Sequence, residues 1–507
     1  MAAFKLVYSS RGVVFGASYT DVYVQLPAYN TLVIVTATAA FLLIISGLFN
    51  RWGIGIMGIV AVGVVWIVGS VALPVVVQQY RVAPNEFAKE EPFIAKGIKF
   101  TRKAFALEDV ERKKFPALPN LTRETLDKNS GTIDSLRLWD WRPLKKTYSQ
   151  IQEIRLYYSF RDVDLDRYFI NGQYRQMALS AREMITDDLP VKAKSWINQH
   201  LVYTHGYGVV ASPVNEVTTE GLPELTVKNI PPTSTVSNLE IDRPEIYYGE
   251  APDDYAIIKT KTKEFNYPAG DHNEYTDYKG NSGIELSNYW RRLAFSYRFG
   301  TAKLLISDAL TSESRIMFHR NIIGRLQTVA PFLSYDSDPY IVIDKGRLFW
   351  IVDAYTMTNR YPYAEPAENG QNYIRNSVKA VVDAYSGDID FYIADDKDPI
   401  IAAYARAFPG IFKPLKSMEK GLLKHIRYPE VLFKIQAEVY SSFHMTDPQV
   451  FFGREDLWAL PNEIYDTESV VMDPYYMILQ LPGETKQEFA LILPFTPTNK
   501  NNMIAWL

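Results

Sequence analysis

The chain has 507 residues, of which 14% are aromatic and 22% are charged, so it is too long for one ordinary domain and too apolar for wholesale disorder. Its net charge of −4 argues against a polybasic nucleic-acid binder, and no nucleic-acid partner is predicted. The absence of cysteine excludes a disulfide scaffold, a thiolate metal site and a cysteine nucleophile.

Two uncharged apolar stretches come first along the chain, at residues 31–49 and 53–77. As a helix, each is long enough to cross the hydrocarbon core of a bilayer, which is about 30 Å thick. Only residues 50–52 separate the two stretches, so we predict a transmembrane helical hairpin over residues 31–77, with the lipid bilayer as a partner. Glycines 53, 55 and 58 have the spacing of a dinucleotide-binding fingerprint, but they lie inside an uncharged apolar span. Small residues in such a span predict close helix packing.

The long region after the hairpin contains separate groups of helical and strand patterns, which predicts an α+β fold. We divide the chain into a segment before the membrane (1–30), the hairpin (31–77), a helical stalk and linker (78–145), and two α+β regions (146–325 and 326–507). Within the stalk, residues 116–131 are predicted to be a linker because they contain Pro116, Pro119 and Gly131.

Several β-hairpins are predicted within the two α+β regions. Asn171-Gly172, Lys345-Gly346 and Ser386-Gly387 each stand between strand-like runs and are typical of tight hairpin turns. Residues 213–252 lack strong periodicity and predict a long excursion across the surface, with one short strand in ELTVKNI.

Two groups of aspartates are the main candidates for chemistry. Asp162, Asp164 and Asp166 alternate as in the start of a calcium-binding loop, but the glycine and glutamate of that motif are missing, which favours a solvated strand face. Asp336 and Asp338 could bind a cation, although a turn before the following proline is favoured.

Other site signals are few. His200 and His205 are five residues apart, a poor spacing for one helical face, so the pair does not predict a metal site. No catalytic, cofactor-binding or metal-ligating residues are predicted, and no cofactor is predicted.

A turn-rich stretch after a predicted strand contains a candidate binding surface made of Tyr355, Arg360, Tyr361 and Tyr363. Aromatic rings and an arginine held near a loop can stack on sugars or peptides. The alternative is that these tyrosines only cover the hydrophobic layer of the hairpin.

Long segments of the chain resemble one protein family. They include LVYSSRGVVFGASYTDVYVQLPAY, LWDWRPLKKTYSQIQEIRLYYSFRDVDLDRY, YTHGYGVVASPVNEVTTEGLPEL, YDSDPYIVIDKGRLFWIVDAYTMTNRYPYAEP, NYIRNSVKAVVDAYSGDIDFYIAD and HMTDPQVFFGREDLW. These segments are similar to signatures of Uncharacterised Protein Family 0182, large prokaryotic multi-pass membrane proteins. The resemblance implies a multi-pass protein of the cell membrane, with the large mixed domain outside the cytoplasm. It also implies that the chain is an internal fragment, truncated at both ends.

Three functional classes remain open from the sequence. The first is a membrane-anchored extracytoplasmic binding or assembly protein, with other envelope proteins or polymers as partners. The alternatives are an envelope-acting enzyme that uses paired carboxylates from the Asp162–Asp166 or Asp336–Asp338 group, and a component of a transporter. A cleft that gathers two carboxylates would favour the enzyme.

Overall fold

A pair of long apolar helices opens the fold of the protein, whose computed structural model describes residues 2–115, 122–481 and 486–507. The first helix runs over Asp21–Leu48 and the second over Trp52–Ala104, and both are long and apolar enough to cross a membrane. Short π-helical turns interrupt the second helix at Val68–Ala72 and Gln78–Val82, but the chain stays helical through them. The first part of the predicted stalk therefore continues the second apolar helix.

Small residues allow the two helices to pack closely. A Cβ added at Gly55 would lie 2.7 Å from Leu43 Cδ2, and one added at Gly58 would lie 3.2 Å from Ala39. Gly53 faces open space. The packing interpretation of this glycine pattern is confirmed at the second and third glycines, which lie in the contact between the helices.

The remaining helices are short and lie mostly between the strands. They are Ala2–Lys5, Arg123–Lys128, Ser130–Asp134, Trp141–Gln152, Tyr289–Phe299, Lys303–Ile306, Ile322–Val329, Pro399–Ala407, Lys420–Leu423, Glu430–Phe443 and Pro448–Gly453. Residues 116–121 of the predicted linker lie outside the described residues, and most of its remainder is helical.

Two larger sheets carry the mixed domain. The first is antiparallel and contains Tyr158–Phe160, Asp164–Ile170, Gln173–Met184, Val209–Pro213, Val227–Lys228 and Thr233–Ser234. The second contains Ser334–Tyr335, Tyr340–Asp344, Arg347–Thr358, Tyr373–Asp383, Ile389–Ile393 and Phe412–Pro414, and only its last pair is parallel. The predicted strand in ELTVKNI is present as Val227–Lys228, although the predicted excursion also contributes other short strands.

Smaller sheets and hairpins surround these two. Their strands are Gly206–Tyr207 with Glu245–Ile246; Ala256–Ile258 with Ile284–Glu285 and Arg315–Met317; Glu264–Ala269 with His272–Thr276; Trp458–Ala459 with Pro494–Pro497 and Ala505–Trp506; Asn462–Tyr465 with Glu468–Val471; and Tyr475–Gln480 with Gln487–Ile492. The α+β class with an apolar helix pair and several β-hairpins is confirmed.

Turn residues set the register of the predicted hairpins. Asn171 and Gly172 both have positive φ, 50° and 80°, and join strands that pair in register from Ile170 and Gln173 onward. Lys345 and Gly346 make the equivalent turn in the second sheet, with φ of 50° and 73°. These two-residue turns match the twist of the flanking strands, so the register follows from the local sequence.

The two larger sheets share one hydrophobic core. Met177 and Leu179 of the first sheet belong to the same buried cluster as Trp350 and Val352 of the second. Polar contacts also connect them, since the backbone N–H of Ile341 donates to Asp164 Oδ2 (2.9 Å) and that of Ile343 donates to the Tyr168 hydroxyl (3.0 Å). Strand Asp164–Ile170 of the first sheet is therefore held beside strand Tyr340–Asp344 of the second.

Candidate functional site

A cleft of about 580 Å³ opens where these segments meet. Its walls come from the start of helix Trp141–Gln152, residues 162–165, residues 336–338, the start of helix Glu430–Phe443 and residues 472–475. Acidic side chains outnumber basic ones around it. We call it the acidic cleft.

Both aspartate groups singled out in the sequence contribute to the acidic cleft. Asp162 and Asp164 come from the first group, and Asp336 and Asp338 from the second. The predicted solvated strand face is wrong, because Asp164 is only 4% exposed and Asp166 is 0% exposed, both covered where the two sheets meet. The predicted turn is confirmed, since the N–H of Asp338 donates to Asp336 Oδ1 (3.1 Å).

Asp162 and Asp338 both line the acidic cleft and interact with each other there, and we call them the carboxyl pair. Burial raises the pKa of Asp338, Arg427 opposes that shift, and the hydrogen bond with Asp162 adds to it. The Asp338 side chain is still 39% exposed, so water screens part of the effect. The negative charge of Asp162 therefore disfavours ionisation of Asp338.

Asp164 is one of the deeply buried acids of the cleft, with 4% of its surface exposed. Burial raises its pKa well above the usual range, and the negative charges of Asp338 and Asp162 act in the same direction, opposed by Arg427. Its Oδ2 accepts the Ile341 N–H, but its Oδ1 has no hydrogen-bond partner among the described residues. A buried acceptor of this kind destabilises the protein until a donor reaches it.

Arg427 positions the second member of the carboxyl pair. Its guanidinium lies 4.0 Å from the ring centroid of Tyr340 and 5.0 Å from that of Tyr476. Its Nη1 donates to the carbonyl of Leu165 (2.8 Å) and its Nη2 to Asp338 Oδ2 (3.3 Å). Fixed between two rings, the cation holds Asp338 against the strand that carries the first aspartate group.

A buried ion pair supports the acidic cleft from below. Lys379 Nζ bonds Asp353, which lines the cleft, and donates to the carbonyl oxygen of Arg427 (2.7 Å). The sequence interpretation missed both residues of this pair and Arg427. The available signal was a charged residue inside each apolar run, Asp353 in FWIVDAYT and Lys379 in VKAVV, because a charge buried in a strand needs a partner.

A second acid pair lies close to the first but does not line the acidic cleft. Burial raises the pKa of Glu250 to about 9, and the charges of Glu183, Asp162 and Asp338 add to the shift. Glu183 is buried, and its Oε2 accepts the N–H of Ala251 (3.0 Å). A Cβ added at Gly249 would overlap that oxygen, so a larger residue there would displace the Glu183 carboxylate.

The four residues of the predicted binding surface do not share one environment, because some are buried in the protein and others are exposed to solvent. Tyr355 is buried and its hydroxyl donates to Asp336, whereas the Arg360 side chain is exposed. Tyr361 stacks on Tyr373 with ring centroids 5.3 Å apart. The ring of Tyr363 stacks on Phe100 of the second apolar helix, 5.8 Å away. Partner binding by these four residues stays a prediction.

The histidine pair does not converge on a common ligand position. His200 Nδ1 bonds the carbonyl oxygen of Tyr255 (2.9 Å), and His205 Nδ1 bonds that of Gly206 (3.0 Å). Over residues 2–115, 122–481 and 486–507, no group of three His, Cys, Asp or Glu side chains is arranged to hold a metal ion.

Comparisons with known proteins identify relatives along the whole chain. A family model described as "Uncharacterised protein family (UPF0182)" matches residues 1–507. A UPF0182 protein of Desulforamulus reducens is 51% identical over 506 residues, covering 99% of this chain and 54% of the relative. One from Pelotomaculum thermopropionicum is 48% identical over 504 residues, 99% of this chain and 55% of the relative.

The similarity extends to an archaeal protein, a UPF0182 protein of Methanospirillum hungatei that is 46% identical over 518 residues, 100% of this chain and 57% of the relative. The chain thus spans about half the length of the curated relatives it matches. No solved structure gives a significant match.

Proposed function

The chain belongs to the uncharacterised protein family UPF0182, and from that premise we propose that it is part of a membrane-anchored hydrolytic enzyme that uses the Asp162–Asp338 carboxyl pair. The observation that supports the proposal is that these two carboxyls line the same cleft and interact there, and that the cleft is large enough for a small molecule. The aspartates come from segments far apart in the chain, so only the fold makes them a pair.

In the proposed reaction one carboxyl of the pair is ionised and the other is protonated, so the pair can assist both the attack of water and the departure of the leaving group. The ionised member takes a proton from a bound water as the water oxygen attacks a substrate carbonyl. The protonated member then gives its proton to the leaving group as the bond to that group breaks. The pair ends with one proton, as it began, and Arg427 keeps Asp338 in position throughout.

The test is complementation of a host strain from which the gene has been deleted, with envelope extracts profiled by mass spectrometry. We expect Asp162→Asn and Asp338→Asn each to accumulate the same compounds as the deletion strain. Asp473→Asn is the matched control, since Asp473 also lines the cleft but is exposed and paired with Lys434 (2.9 Å). Restoration of the wild-type profile by both pair variants would refute the enzyme.

A binding or assembly role in the cell envelope is the second candidate function. It is favoured by the exposed Arg360 side chain, which lies beside Tyr361 and Tyr363 and is free to contact another envelope protein or polymer. Under this role, Asp162→Asn and Asp338→Asn would leave cellular function intact. The transporter alternative has less support, because neither Leu26–Leu48 nor residues 52–77 contains an acidic or basic residue.

We also propose that the apolar helices cross the cell membrane and that the large domain lies outside the cytoplasm. The chain has no native cysteine, so single cysteines report the side directly. Ser237→Cys, at an exposed position of the mixed domain, should react with an impermeant maleimide in intact cells. Asn50→Cys, in the exposed loop between the helices, should react only after the membrane is permeabilised. The reverse pattern would overturn this topology.

A further inference from the structure

We infer that the acidic cleft accepts a ligand carrying primary ammonium groups, with the buried carboxyl of Asp164 receiving one of them. Such a ligand is the substrate class of the proposed enzyme, so its turnover rests on the proposed function. Binding of the ligand follows from the charge and the unsatisfied acceptor of the cleft and needs no catalysis.

Three of the four basic side chains of the acidic cleft have acidic partners, and the fourth, Arg137, lies 5.5 Å from the ring centroid of Tyr475. Arg142 Nε lies 2.9 Å from Asp140 Oδ1, and Lys434 Nζ lies 2.9 Å from Asp473 Oδ1. Arg427 holds Asp338, as described above. The acids therefore leave a net negative field in the cleft, which attracts a cation.

Asp164 supplies evidence that is independent of this excess of acids. Its side chain is buried at the cleft wall, and its Oδ1 lacks a hydrogen-bond partner within the described part of the chain. An ammonium N–H donated to this oxygen would satisfy the acceptor, and the positive charge beside it would favour the ionised form of the Asp164 carboxyl. Glu430, at the start of its helix, also lines the cleft, and burial raises its pKa.

The cleft fits an organic cation better than a metal ion. Its volume of about 580 Å³ suits a molecule of many atoms, and the described residues include no group of three side chains arranged to hold a metal.

Isothermal titration of the full chain in detergent with spermidine tests the inference, with triacetylspermidine as the uncharged probe of similar shape. We expect spermidine to bind, more weakly in high salt, and triacetylspermidine not to bind. Asp164→Asn and Glu430→Gln should each weaken spermidine binding by about ten-fold or more. Glu313→Gln, an exposed acid outside the cleft, should leave it unchanged.

Three results would overturn the inference: no binding of spermidine, equal binding by triacetylspermidine, or spermidine affinity unchanged in both cleft variants. The use of two variants keeps the test valid if Asp164→Asn fails to fold, because Glu430 is only partly buried. If the protein binds calcium but not spermidine, and both variants abolish calcium binding, the ligand of the cleft is a metal ion and not an organic cation. Binding without accumulation of compounds in Asp338→Asn cells would leave the ligand class standing and refute only the enzyme.

Discussion

Replacing Lys379 with methionine should destabilise the protein strongly, because it breaks the ion pair beneath the acidic cleft. The side chains of Lys379 and Asp353 are 4% and 5% exposed, so neither charge is screened by water. Without the cation, Asp353 is left buried and unpaired, and the carbonyl oxygen of Arg427 loses its donor. Removal of one partner from a buried pair lowers the free energy of unfolding by about 3–5 kcal/mol.

An exposed pair provides the matched control. Lys345 and Glu419 lie 2.6 Å apart, but their side chains are 69% and 58% exposed, so Lys345→Met should lower the free energy of unfolding by less than about 1 kcal/mol. The double variant Lys379→Met/Asp353→Leu should recover most of the lost stability, because it contains no unpaired buried charge.

Guanidinium unfolding of the detergent-solubilised full chain at pH 8, followed by tryptophan fluorescence, measures these differences. The reasoning is refuted if Lys379→Met is no less stable than Lys345→Met, or if the double variant is no more stable than Lys379→Met alone.

Three further variants test other parts of the molecule. Burial raises the pKa of Glu264 from 4.5 to about 7, so between these pH values the folded protein holds a proton that the unfolded chain releases. The free energy of unfolding should therefore fall by about 3 kcal/mol as the pH rises from 4.5 to 7. Glu264→Gln should remove that fall in unfolding curves measured across this pH range. Gly58→Val should destabilise the helical hairpin by about 1–3 kcal/mol in detergent melts, because its Cβ would lie 3.2 Å from Ala39 of the facing helix. Gly63→Val should not destabilise it, because a Cβ there meets nothing within 4 Å. Equal effects of the two variants would contradict the packing argument. Arg360→Ala should reduce pull-down of envelope partners without changing the melting temperature, while the exposed Arg291→Ala should do neither; unchanged capture would count against the predicted binding surface.

The sequence by itself determined the elements whose signals are local. An uncharged run of residues has one stable state in lipid, so the two apolar helices follow from composition. Asn171-Gly172 needs positive φ at both positions, so it specifies a two-residue hairpin wherever the chain goes afterwards. The spacing of Gly55 and Gly58 likewise indicates close helix packing before any partner helix is known.

The acidic cleft is formed by the tertiary structure and could not be predicted from the sequence. In the sequence, the alternation of Asp162, Asp164 and Asp166 is equally compatible with a face in water and a face against another sheet, because alternation records only that two faces differ. The second sheet covers that face, which buries Asp164 and brings Asp338 to Asp162. No local signal encodes this pairing, since it depends on the docking of two sheets through a shared core, and that is why the carboxyl pair became visible only in the folded chain.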